Sequence, residues 1–168
     1  MDQSATDAAL LVLRAAVGLT IVAHGVNHIF GGGKLAGTGR WFESMGLRPG
    51  WLHARLATAT ELVGGALLTL GLLTPFGAAA VVGLMVVAGL TAHRTNGFFI
   101  FKPGQGWEYV MILAVAAAAV GTLGPGTWSL DNALGVSIDG WSGGAIAVGA
   151  GVGGALALLA ACWRPGRS

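Results

Sequence analysis

Between Leu52 and Ala92 the chain carries, beyond Arg55, a single formal charge, Glu61. As one helix at ~1.5 Å per residue this stretch would be about 60 Å long, twice the ~30 Å hydrocarbon core of a bilayer. Thr74-Pro75 interrupts it, because proline's ring disfavours the α conformation in the residue before it. The stretch therefore reads as two membrane-length helices folded back on each other, about 52–73 and 76–93. Apolar segments of comparable length occur at about 8–30, 107–123 and 142–163.

Composition agrees with five such segments. The 168 residues are 54% hydrophobic and 10% charged, against about 25% charged in soluble domains. Mean hydropathy is +0.73. The expected fold is all-α: one polytopic transmembrane helical bundle whose main partner is the lipid bilayer. A net charge of +2 is too small to imply a nucleic-acid partner. Cys162 is the single cysteine, which excludes an intramolecular disulfide and CxxC thiol exchange. The start, MDQSATD, lacks the basic n-region of a secretory signal, so the first apolar segment is expected to stay as a helix.

Charge asymmetry predicts orientation. With five crossings, Lys34, Arg40, Arg48, Arg55, Arg94, Lys102, Arg164 and Arg167 share one side, and Asp2, Asp7, Asp131 and Asp139 the other. The positive-inside rule then puts the N-terminus outside and the C-terminus in the cytoplasm. Arg14 is expected to snorkel to the outer interface, towards Asp7. A Gly-rich, charged loop is expected from Gly31 to Trp51, and FFIF within 95–106 suggests an interfacial or re-entrant loop. The GGGK at 31–34 lacks the spacing of a phosphate loop. In the last segment, Gly149 and Gly153 form one small-residue row and Ala147, Gly151 and Ala155 another, both suited to close helix packing.

Helix direction brings the strongly polar side chains to one half of the membrane. His24 lies about 9 Å in from the cytoplasmic boundary and Glu61 about 13 Å. Asn27, His28, His93, Trp107 and Glu108 lie nearer the rim. An isolated carboxylate at the depth of Glu61 costs about 2.5–3.5 kcal/mol, so it should face the interior with a partner. His24 is expected to be that partner, and His93 with Glu108 to form a second pair. Glu61, His24, His93 and Glu108 are the candidate catalytic residues; His24, His28, Asn27 and Trp107 are candidates for holding a ligand. Each also has a plain alternative: a helix-locking hydrogen bond for Glu61 and His24, an interfacial anchor for His28 and His93, and the aromatic belt for Trp107 and Tyr109. His53 reads as a solvated turn residue. Zinc is disfavoured because HGVNH lacks the glutamate of HExxH. A b-type haem between His24 and His93 is disfavoured by their different depths.

These residues resemble the DoxX family of small membrane proteins over about Leu11–Leu134. The resemblance is carried by LRAAVGLTIVAHGVNHIF, ATELVGGALLTLGLLTP, AHRTNGFF and GWEYVMILAVAAA. Within them His24-Gly25, Glu61 with Gly64-Gly65, His93 before Asn96-Gly97-Phe98, and Glu108-Tyr109 match the family pattern. The resemblance implies a four-helix core with the fifth segment appended. It also implies a frequent association with redox complexes, quinone- or sulfur-linked, beside relatives that act in sorting or assembly and catalyse nothing. The expectation is thus a membrane subunit that offers its polar pocket to a quinone and takes electrons from a partner redox protein or works as a homo-oligomer. The rival is a non-catalytic anchor or assembly factor whose polar cluster is structural. A solute pathway ranks last, since the outer half is expected to lack polar residues apart from Thr20 and Arg14.

Overall fold

The computed structural model describes residues 2–136 and 138–166; Arg167, counted above among the cytoplasmic charges, lies outside them. The described residues form an all-α bundle without β-strands, as the apolar segments predict. Helix α1 spans Gln3–Phe30, starting before the expected Ala8 because Asp2 caps it, its carboxylate accepting from Ser4 N at 3.0 Å. Helix α2, Lys34–Ser44, is followed by α3, Gly50–Leu70. Helix α4 covers Thr74–Ala88 and runs on through a π-helical turn, Gly89–His93. Then come α5, Glu108–Leu123, and the short α6, Leu130–Ala133. Helix α7, Gly140–Ala145, continues through a second π-turn, Ile146–Ala150, into α8, Gly151–Cys162.

Gln3–Phe30, Thr74–His93 and Gly140–Cys162 are long and apolar enough to cross a membrane, and Glu108–Leu123 is a shorter apolar helix. Helix α4 is the hub: α3, α5 and α8 all pack on it, and α1 lies along α3. Val17, Ile21, Leu68, Val81, Val82 and Val120 fill the space between. Close approach of α1 and α3 depends on Gly18 and Gly65, since a Cβ on either would stand within 2.7 Å of the other's carbonyl oxygen. In the last segment it is the Ala147, Gly151, Ala155 row that is buried, whereas a Cβ at Gly149 or Gly153 would meet nothing within 4 Å.

The segment expected to be a loop from Gly31 to Trp51 contains α2. Its two internal glycines weaken the helical pattern, but Gly39 lets it dock on Gly50 and Trp51 at the start of α3. The same end of the bundle receives the C-terminal strand-like residues: Arg48 N donates to Cys162 O, Arg164 N to Gly46 O, and Trp163 Nε1 to Met45 O. The Arg94 guanidinium lies 5.3 Å from the Trp163 ring centre. Arg48, Arg94 and Arg164 are thereby gathered at one end.

The opposite end corrects two expectations. Arg14 does not snorkel to Asp7; it is 1% exposed and its Nη2 donates to Trp128 O, because the segment after α5 folds back over it. Asp7 instead accepts from Thr127 N at 2.8 Å and from its hydroxyl at 2.5 Å. Asp131 accepts from Leu73 N, Thr74 N and the Thr74 hydroxyl at 2.7, 2.9 and 2.7 Å. This half of the bundle therefore holds a polar cluster of its own, assembled from loops that hydropathy alone passes over.

Candidate functional site

Glu61 is 8% exposed, on the face of α3 that also carries Ala54, Thr58 and Gly65, spaced three or four residues apart. Facing it is Gly25 of α1. A Cβ at Gly25 would stand 2.9 Å from the Leu62 side chain and 3.1 Å from Glu61 Cβ, so the glycine lets α1 come close here. One turn on, His28 reaches across.

His28 Nδ1 stands 2.9 Å from Glu61 Oε2 and 3.1 Å from Thr58 Oγ1. The Thr58 hydroxyl spends its proton on Ala54 O at 2.8 Å, so toward His28 it only accepts and Nδ1 must carry the proton. The ring aims that N–H at Thr58. Among the described residues, Glu61 Oε2 thus has a close imidazole but no aligned hydrogen bond. Phe42 of α2 packs edge-on against His28, with ring centres 6.3 Å apart.

Across the site, His93 ends the π-turn of α4. Its Nδ1 is 2.9 Å from Gln105 O, a group that only accepts, which places the proton on Nδ1. Its Nε2 then accepts from the Tyr109 hydroxyl at 2.8 Å. Asn96 Nδ2 ties the same loop, donating to Ala92 O at 2.9 Å and Gly104 O at 2.6 Å. The loop 95–107 is therefore hydrogen-bonded to the end of α4.

Between these two pairs lies a cavity of about 480 Å³, lined by His24, His28, His53, Glu61, His93 and Tyr109 among others. A second, of about 610 Å³, adjoins it on the α2 side and adds Asn27 and Gln105. This volume lies within the ~300–1,000 Å³ usual for small-molecule sites.

Several pairings differ from the sequence expectation. The imidazole that meets Glu61 is His28, not His24; His24 is exposed, lines both cavities and makes no hydrogen bond among the described residues. The depth argument favoured His24, but depth along one helix says nothing of the direction in which a side chain leaves it. His93 does not pair with Glu108, whose Oε2 accepts from Ile100 N at 3.1 Å. Trp107 packs edge-on against Phe98 at 4.8 Å, and neither Trp107 nor Glu108 lines either of these two cavities. His53, taken for a solvated turn residue, is 4% exposed, with Nε2 3.3 Å from Arg48 O. Thr58 and Tyr109 were missed as site residues; Thr58 had a signal, standing one turn before Glu61 on the same face.

The donor set bears on the groups considered above. Both nitrogens of His93 are hydrogen-bonded, and His24 and His28 leave one helix a turn apart. What the arrangement offers is one imidazole backed by a carboxylate, and one tyrosine oxygen whose proton is committed to His93, both at the wall of a largely apolar cavity.

Comparison with known proteins agrees with this architecture. Residues 9–94 match the family model described as DoxX. An uncharacterized membrane protein of Mycobacterium tuberculosis is 32% identical over 133 residues, covering 74% of this chain and 80% of that protein. No solved structure matches. On the family match and this relative together, the chain belongs to the DoxX family of membrane proteins.

Proposed function

We propose that this protein is the quinone-binding membrane subunit of a redox complex in a bacterial cytoplasmic membrane. The observation that supports the reading best is an imidazole beside a buried carboxylate: Nδ1 of His28 bonds Thr58 and lies 2.9 Å from Glu61 Oε2, which leaves Nε2 as the nitrogen for a ligand in the cavity. A carboxylate beside an imidazole orients the ring and stabilises its protonated form. His28 then hands a proton from Nε2 to a quinone oxygen as the partner protein supplies electrons, and takes the next proton from water at the cavity mouth. Two electrons and two protons complete the reduction, and the same steps reversed oxidise a quinol. Tyr109 Oη, its own proton directed at His93, accepts from a quinol hydroxyl. Glu108, bound to Ile100 N, has no part in this relay.

The quinone takes up its electrons from another protein, since the sequence carries no flavin or iron–sulfur motif. Five crossings, with the N-terminus outside and the C-terminus in the cytoplasm, fit the collection of basic residues at the end where α8 meets the α2–α3 connection.

The test is quinone binding by the purified protein in lipid nanodiscs. Wild type should bind a naphthoquinone, and Glu61→Gln and His28→Ala should weaken binding and stop partner-dependent turnover. If both variants bind and turn over as wild type does, the quinone reading fails. If they only melt at lower temperature and recover less partner, the rival role as an anchor or assembly factor takes its place.

A further inference from the structure

The cavity does not end at its polar groups. On α4 its lining includes Phe76, Ala80, Gly83, Val87 and Thr91, one stripe at helical spacing. From Phe76 to His93 that is roughly 25 Å at ~1.5 Å per residue, most of the ~30 Å hydrocarbon thickness. Leu56, Ala57 and Thr60 of α3 form one wall, and Gly151, Gly154, Ala155 and Leu158 of α8 the other. Helices α3 and α8 pack on α4 and not closely on each other, so a cleft runs between them. Its floor is deep because Ala79, Ala80 and Gly83 project little. Leu56 and Phe76 at its edges are 46% and 47% exposed.

Polarity is confined to one end. His24, His28, His53, Glu61, Thr91, His93 and Tyr109 belong to that end, while the remainder, Thr60 aside, is alanine, glycine and larger apolar side chains. Trp41, Phe42 and Met45 of α2 roof the polar end. A membrane-spanning helix, about 10–12 Å across with its side chains, would have to pass that roof to fill the cleft. A single hydrocarbon chain with a polar head stops beneath it.

We propose that the α3–α4–α8 cleft holds the hydrocarbon chain of an amphiphile that enters sideways from the bilayer, with its head coming to rest at His28 and Glu61. The identity of the head as a quinone rests on the function proposed above; the chain channel rests on the shape and polarity of the cleft.

Gly154 provides the test, because it lines the cleft while a Cβ there meets nothing within 4 Å. Gly154→Phe therefore projects a ring into the channel from an unobstructed Cβ position. Gly153→Phe, equally open but off the cleft, is the control. The probes are an alkyl naphthoquinone with a diazirine at the far end of its chain, and a fatty alcohol bearing the same chain. In nanodiscs, the naphthoquinone probe should label residues of the cleft walls, and long-chain menaquinone should compete where tail-less menadione does not. Gly154→Phe should cut the labelling about tenfold, equivalent to ~1.4 kcal/mol, and Gly153→Phe should leave it unchanged. Labelling spread over the lipid-facing surface, or undiminished in Gly154→Phe, overturns the channel. If the alcohol labels the cleft and the naphthoquinone does not, the channel stands and the quinone reading falls. If menadione binds but neither chain labels the cleft, the channel falls and the quinone reading stands.

Discussion

His28 Nδ1 lies 2.9 Å from Glu61 Oε2, bringing together two groups that neither depth in the membrane nor sequence spacing pairs. The contact joins α1 to α3 at the glycine that allows their approach, Gly25. Removing His28 leaves Glu61 and Thr58 without their neighbouring imidazole, and a buried polar group left unmet costs about 1–3 kcal/mol. His28→Ala should thus lower the melting temperature in detergent more than His24→Ala, whose side chain makes no hydrogen bond among the described residues. Replacing both members, Glu61→Met with His28→Leu, should recover most of the loss while eliminating quinone binding. A double-mutant cycle by thermal unfolding measures the coupling, and a coupling near zero would contradict the pairing.

Asp131 should matter as much at the opposite end. It satisfies the amides of Leu73 and Thr74 and the Thr74 hydroxyl. Asp131→Ala leaves these buried donors unmet at about 1–3 kcal/mol each. The expected outcome is a severe loss of folded protein, with Asp131→Asn intermediate. Size-exclusion yield and melting temperature check it.

Gly71 joins α3 to α4 with φ of +63°, and a Cβ there would collide with the Arg14 guanidinium. Gly71→Ala therefore combines the left-handed backbone cost, about 1 kcal/mol or more, with displacement of Arg14. Gly149→Ala, on a helix surface with open space around it, should be neutral or gain about 0.5–1 kcal/mol from reduced chain entropy. Melting curves that rank the two the other way would refute this account of the turn.

The bonds from His93 to Gln105 O and from Tyr109 to His93 hold the loop 95–107 to the bundle. His93→Ala should speed amide hydrogen exchange across that loop, and Tyr109→Phe should do so more weakly, because it removes only the outer bond. Exchange in α1 and α3 should not change. A uniform rise throughout the bundle would mean that His93 supports the whole fold rather than this loop.

The proposed orientation is open to direct labelling. In a Cys162→Ser background, Ala5→Cys should react with a membrane-impermeant maleimide from the periplasmic side and Ser44→Cys only from the cytoplasmic side. Reaction of both from the same side excludes the five-crossing arrangement.

The chain's long apolar segments, broken by Thr74-Pro75 and by Gly124-Pro125-Gly126, determined by themselves that it folds as an all-α membrane bundle, because burial in lipid leaves the backbone no partners but its own. They also showed that Glu61 must turn inward, since a lone carboxylate in lipid is costly. Hydropathy did not reveal α2, whose glycines hide the helical pattern, or the Arg14–Asp131 cluster, whose members are far apart in the chain. Nor did the position of His24 show that its neighbour one turn on would meet Glu61. Those outcomes were decided by tertiary structure: pairing depends on the azimuth at which each side chain leaves its helix, and that azimuth is set by where glycines such as Gly18, Gly25 and Gly65 allow two backbones to touch.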